Sequence, residues 1–340
     1  MIIKRLIRNP QFLTGFIFLF GLFTASLVYY WFSGDQVPRT GLLKGEDGEY
    51  LRPPYSPLEF PPLGTDNFGH DVFLLMLTGA KYTIGAALLI AFLRVVPSVL
   101  IGLAIHFYFY KMKKLFASIV DAFNYFPTTL LAFLLMQWVM MYGPLMNPET
   151  FDYSFSDKLF IYITILVGIS MPSVSLLFSN EIETIMKKQF IESAKVLGAL
   201  KRHFILLHIR PYLVPQIYIV FLREFISVMI LISHLGVLGI FMGGFEIETD
   251  VFDNNKMLSL SHEWSGSLGA WWEFLWTTYP WIAFIPVLFF TLTVLAAKMM
   301  LLGLTKALEE AEEIPAGNEK YGNHSLNTKE KFELVNEKVK

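Results

Sequence analysis

Six apolar stretches organise this 340-residue chain. They run near Phe12–Phe32, Tyr82–Phe109, Phe116–Tyr142, Leu159–Phe178, Tyr212–Leu235 and Trp281–Leu304. Each holds about 20 residues or more, long enough as a helix to cross a hydrocarbon core of about 30 Å. Hydrocarbon offers no partner for an open backbone, so only helices and closed barrels span it. None of the stretches alternates with period two for long, which removes barrel strands. The expectation is an all-α membrane protein with about six transmembrane helices. Composition agrees, at 54% hydrophobic and 16% charged, where a soluble domain is nearer a quarter charged.

The first stretch also has the basic start of a signal peptide, in Lys4, Arg5 and Arg8. It is longer than a cleaved apolar region, and it ends in Tyr29, Tyr30 and Trp31, an interfacial aromatic belt. It reads as an uncleaved first span. With the N-terminus inside, the inner segments hold twelve Lys and Arg: Lys4, Arg5, Arg8, Lys111, Lys113, Lys114, Lys187, Lys188, Lys195, Lys201, Arg202 and Arg210. The outer segments hold six: Arg39, Lys44, Arg52, Lys81, Lys158 and Lys256. That asymmetry predicts N-in and C-in. The inner bases serve this bias or meet anionic lipid.

These spans divide the chain into an N-terminal segment and first helix (1–32), an outer loop (33–81), a transmembrane core (82–308) and a polar inner tail (309–340). The last outer loop, 236–280, carries Trp264, Trp271, Trp272 and Trp276, which suit the interface or a cover over the outer mouth.

Several chemistries are excluded. The chain has no cysteine, hence no disulfide, thiolate metal site or Cys nucleophile. It has no P-loop, no H-E-x-x-H and no G-x-S-x-G; His262-Glu263 lacks the second His. Asp66, His70 and Asp71 lie close in sequence but read as loop-ordering residues rather than a metal or acid/base cluster. No enzyme activity, metal or bound cofactor is therefore expected. The net charge of −2 gives no reason to expect nucleic acid.

The connection between the fourth and fifth stretches, 180–210, is long, basic and amphipathic. Glu181 to Leu197 contains neither Gly nor Pro, so a helix fits there, and Gly198 can end it in the left-handed region. A second short helix fits from about Leu200 to Ile209, and Pro211 is tolerated at the start of the next span. The expected result is a helix–turn–helix on the inner face.

Glu192, Ser193, Ala194, Gly198 and Pro211 together resemble the E-A-A-x-x-x-G signature, with its later Pro, of the membrane subunits of ATP-binding-cassette importers. Ser193 stands where Ala is usual and Arg210 where an apolar residue is usual. In that family this loop is a coupling helix docked on the ATPase. Pro62 to Val72, with Gly64, Thr65, Asp66, Gly69 and Asp71, is similar to the P-L-G-T-D-x-x-G-R-D segment of dipeptide, oligopeptide and nickel permeases of the C-type, with His70 replacing Arg. Val120, Asp121, Phe126 and Pro127 resemble the start of that family's third span. The resemblance runs from about Pro61 to Leu308, with an apparent insertion near Phe241–His262. It implies a half-path for short peptides, a B-type permease partner, two ATPase subunits carrying ATP and Mg²⁺, an extracytoplasmic binding protein, and a bacterial cytoplasmic membrane.

Three charges lie deep in the apolar stretches. Arg94 is about 18 Å into the second, at 1.5 Å per residue, and Arg223 and Glu224 lie at similar depth in the fifth. Such charges face a partner or a wet cavity. Either Arg94 and Glu224 meet, or these residues line the path. Pro97, inside the second stretch, reads as a packing feature. Two other functions share these features: a secondary transporter coupled through Arg94 and Glu224, and a permease-derived membrane protein that transports nothing.

Overall fold

The structure, a computed structural model, describes residues 2–44, 50–146, 153–188, 191, 209–250 and 254–312. It is mostly helical. Six helices among the described residues are long and apolar enough to cross a membrane.

A short helix α1 (Ile2–Arg8) leads into α2 (Pro10–Ser33). Asn9 caps α2: its side-chain oxygen accepts from the backbone N–H groups of Gln11 and Phe12, and Pro10 occupies the first turn. Only Gly15 and Ser26 are buried along α2, which lies on the outside of the bundle against the last helix.

Helix α3 spans Val72–Phe107. It begins well before Tyr82, because Asp71 accepts from the N–H groups of Phe73 and Leu74 and fixes the start. The first outer loop is shortened accordingly. It contains a small antiparallel pair, β1 (Leu43–Lys44) with β2 (Tyr50–Leu51).

The third span departs from the expected Phe116–Tyr142. Helix α4 (Lys113–Asn124) is separate and amphipathic, with Lys113, Lys114, Asp121 and Asn124 among its apolar residues. The chain breaks at Pro127, whose backbone is extended (φ −57°, ψ 121°) and which has no N–H for a helix. The span proper is α5 (Thr128–Gln137), continued through a π-helical turn (Trp138–Tyr142) into α6 (Gly143–Met146).

Helix α7 (Phe155–Met186) starts at a capping box of Ser154 with Asp157. It extends past Phe178, so 180–186 belong to this helix and not to the inner loop. Ile182 and Ile185 are buried there, and Glu183 pairs with Lys113 at 2.6 Å and Lys187 at 3.1 Å. Helix α8 (Arg210–Val237) follows, with Pro211 in its first turn. The rest of the expected helix–turn–helix, including Glu192 to Gly198, lies outside the described residues.

The last outer loop is structured. The segment expected as an insertion carries a hairpin, β3 (Phe245–Thr249) with β4 (Asn255–Ser259), in register Phe245↔Ser259 through Thr249↔Asn255. Helix α9 (Trp264–Trp271) and a 3₁₀ turn (Trp272–Trp276) come next. The tryptophans divide: Trp264 and Trp271 are buried, while Trp272 and Trp276 are exposed. Helix α10 (Trp281–Glu312) continues past residue 308, so the first acidic residues of the tail are helical.

Helix α3 packs most extensively on α7, α2 on α10, and α8 on both α3 and α10. Asn9 donates to the carbonyl of Gly303, so the start of α2 and the end of α10 share one end of the bundle. In the orientation expected from charge, this is the inner end. At the outer end, α9 docks where glycines let backbones meet: a Cβ on Gly269 would stand 2.1 Å from the carbonyl oxygen of Gly236, and one on Gly236 would stand 2.2 Å from that of Ser265. The Trp264 indole donates to Met76 at 2.7 Å, and its backbone N–H donates to Thr83 at 3.0 Å.

Candidate functional site

Arg94 projects from the middle of α3 and is fully buried. Its Nη1 donates to Glu224 Oε2 at 3.0 Å, and its Nε and Nη2 donate to the carbonyl of Leu166 at 3.0 and 2.6 Å. One guanidinium thus joins α3, α7 and α8. Its five N–H donors in a planar fork suit it to two acceptors from different helices. Glu224 keeps 17% of its side chain exposed, so the pair sits at the edge of the packed interior.

Arg223 is not brought into that pair. Neighbouring residues on a helix point about 100° apart, at 3.6 residues per turn, and Arg223 is exposed where Glu224 is partly covered. Ser227, Ile230 and His234 are exposed too. The spacing from Arg223 runs by fours and threes, which places all four on one stripe of α8. From α5, Thr129 Oγ1 lies 3.3 Å from His234 Nδ1. A guanidinium, a hydroxyl and an imidazole, with Ile230 among them, therefore share one exposed stripe that runs from the middle of the span to near its end. A charge at that depth faces a protein partner or a water-filled cavity rather than hydrocarbon.

The outer motif folds as an ordered loop. Gly64 has φ +77° and a Cβ there would stand 2.4 Å from the carbonyl oxygen of Tyr55, so only glycine fits. Thr65 Oγ1 accepts from the Tyr55 N–H at 2.8 Å. Asp66 accepts from the N–H groups of Phe68 and His70, at 2.9 and 2.7 Å. Gly69 also has positive φ, and Asp71 caps α3. His70 Nε2 lies 2.9 Å from Arg39 Nε, and its Nδ1 lies 3.1 Å from Asp66 Oδ2. Arginine only donates, so Nε2 accepts and the imidazole proton sits on Nδ1, facing Asp66. Both ring nitrogens are committed, which suits ordering rather than metal binding. Among the described residues no group of three or more His, Asp or Glu is placed to hold a metal.

Beside this loop is a cavity of about 590 Å³, walled by Arg39, His70, Glu246, Glu248, His262 and Trp271 among others. Arg39 bridges it to Glu248 at 2.6 Å. His262 has φ +50° and resists protonation, first because it is buried and then because of nearby His70; Glu246, Glu263 and Asp35 act the other way.

Glu263, read from the sequence only as half of an incomplete H-E-x-x-H, has a role that the sequence did not suggest. It is fully buried, and its carboxylate accepts from the hydroxyls of Ser259, Ser261 and Ser265 and from the Met242 N–H. The alternation of Ser259, Ser261, Glu263 and Ser265 was the available signal: hydroxyls every second residue can converge on one carboxylate.

Of the inner-loop residues, Glu192, Ser193, Ala194 and Gly198 lie outside the described residues. Pro211 sits exposed in the first turn of α8.

No family model matches the chain. It is similar to proteins of Brucella abortus, Brucella melitensis and Brucella suis, each provisionally named a peptide transport system permease protein. Identity is 28% over 130 residues, covering 38% of this chain and 40% of each relative. The match thus spans about two fifths of the length of these curated relatives. Six apolar helices make the chain a multi-pass membrane protein, similar over 130 residues to proteins named as permeases.

Proposed function

We propose that this chain is the transmembrane subunit of an ATP-binding-cassette importer, forming half of a translocation path for short peptides. The observation that carries the reading is the likeness to peptide-system permeases in a chain whose fifth span exposes Arg223, Ser227 and His234 along one face. A path needs a wet wall; this stripe supplies one side of it, and a second, B-type permease supplies the other. The Arg94–Glu224 clamp holds that wall in register. An extracytoplasmic binding protein delivers cargo to the outer end. Two ATPase subunits, which hold the ATP and Mg²⁺, dock on the inner segment that carries Glu192 and Gly198. The membrane is the bacterial cytoplasmic one.

Co-purification tests this. A tagged chain should carry an ATPase, and Gly198→Pro or Glu192→Lys should remove it, because proline breaks the expected turn and lysine reverses the charge meant for the ATPase. A tagged chain that drives uptake with no ATPase attached would refute the reading.

A further inference from the structure

We propose that Arg223 is a cargo-binding residue that receives the carboxylate of the translocated solute, a step that rests on the importer reading above. Arg223 lies 223 − 210 = 13 residues into α8, a helix of 28 residues, so it is roughly 20 Å from the inner end and near mid-membrane. Its side chain is exposed there. Among the described residues it has no carboxylate partner, and the adjacent Glu224 is already engaged by buried Arg94. Arg94 and Glu224 offset each other, so among the described residues Arg223 is left as an uncompensated positive charge on the exposed stripe. A guanidinium presents paired N–H groups that fit a carboxylate in two parallel hydrogen bonds. The Ser227 hydroxyl, one turn away on the same face, can donate a third. The site therefore fits an anionic group in the cargo, and a peptide has one at its C-terminus.

The test uses the complex of this chain with its co-purifying subunits in proteoliposomes, and compares uptake of trialanine with uptake of trialanine amide. Arg223→Gln should raise the KM for trialanine by about 10-fold to 100-fold, the range for one charge-assisted contact. Trialanine amide should change by less than about twofold, since it offers no carboxylate to Arg223. Arg223→Lys, which keeps the charge but not the fork, should fall between. The binding protein is the same in every arm, so its own preference cancels in the variant-to-parent ratio. Equal losses for both peptides would overturn the assignment. So would loss of the partner subunits from Arg223→Gln, which would make Arg223 a contact between subunits. Failure of the unaltered complex to transport either peptide would instead overturn the importer reading, and this one with it.

Discussion

Arg94 and Glu224 meet at 3.0 Å across α3 and α8, with the arginine fully buried and held on its other side by the carbonyl of Leu166. Breaking such a pair from one side leaves a buried charge without its counter-charge, which costs about 3–5 kcal/mol. Glu224→Ala should lower the detergent melting temperature markedly. The double change Arg94→Leu with Glu224→Leu should restore most of it, because an apolar pair needs no partner. If the double variant melts no higher than Glu224→Ala, the pair is not what holds these helices together.

The glycine contact between α8 and α9 gives a second prediction. A methyl group at either Gly236 or Gly269 meets backbone carbonyl oxygen at little over 2 Å, and backbone cannot turn aside as a side chain can. Gly269→Ala should cost about 1–3 kcal/mol, as overpacking does, and should loosen the outer cap first. Limited proteolysis read by mass spectrometry should find earlier cleavage between 240 and 265 while the spans stay intact. Unchanged cleavage would mean that the cap is held elsewhere.

His262 predicts a pH dependence. An unfolded imidazole protonates near 6.5, and burial and His70 hold His262 below that. Above pH 6.5 both forms are neutral and the residue adds no pH dependence. As pH falls below it, the opened cap gains a proton that the closed cap refuses, so closure weakens. Protease protection of the hairpin should therefore drop between about pH 7 and about pH 5. His262→Asn tolerates the same positive φ and should flatten the profile. A profile that stays as steep would place the titrating group elsewhere, with His70, Glu246, Glu263 and Asp35 the groups nearby.

Much of this was legible in the chain. Runs of about 20 apolar residues announce spans because hydrocarbon thickness sets helix length, and depth counted along the helix puts Arg94 and Glu224 at similar depth but leaves open whether they meet or line a path. The start of the third span was not legible: Phe116 to Phe126 is apolar enough to join the run, and only Lys113 and Lys114 before it, Asp121 within it and the break at Pro127 separate α4 from the span. Asp71 marked the true start of α3 as a cap, but Gly79, Ala80 and Lys81 make that turn read as loop. The role of Glu263 was missed because a carboxylate in a loop is ordinarily solvated. What buries it is tertiary, the closure of β4, α9 and the segment near Met242 around it.

The stripe on α8 yields the last prediction, and the absence of native cysteine makes it clean. Single cysteines at 223, 227 and 228 differ only in which way they face. Arg223 and Ser227 are exposed, and Val228 is buried. A membrane-impermeant cationic thiol reagent attacks only as fast as thiolate forms, and a thiol in hydrocarbon or a packed core forms almost none. In proteoliposomes opened to both sides, Arg223→Cys and Ser227→Cys should label, and Val228→Cys should not. Cargo in excess should slow labelling at 223 more than at 227. The readout is the mass of this chain, so it does not depend on transport. If neither 223 nor 227 labels, that face meets lipid or another helix, and no wet path runs along α8.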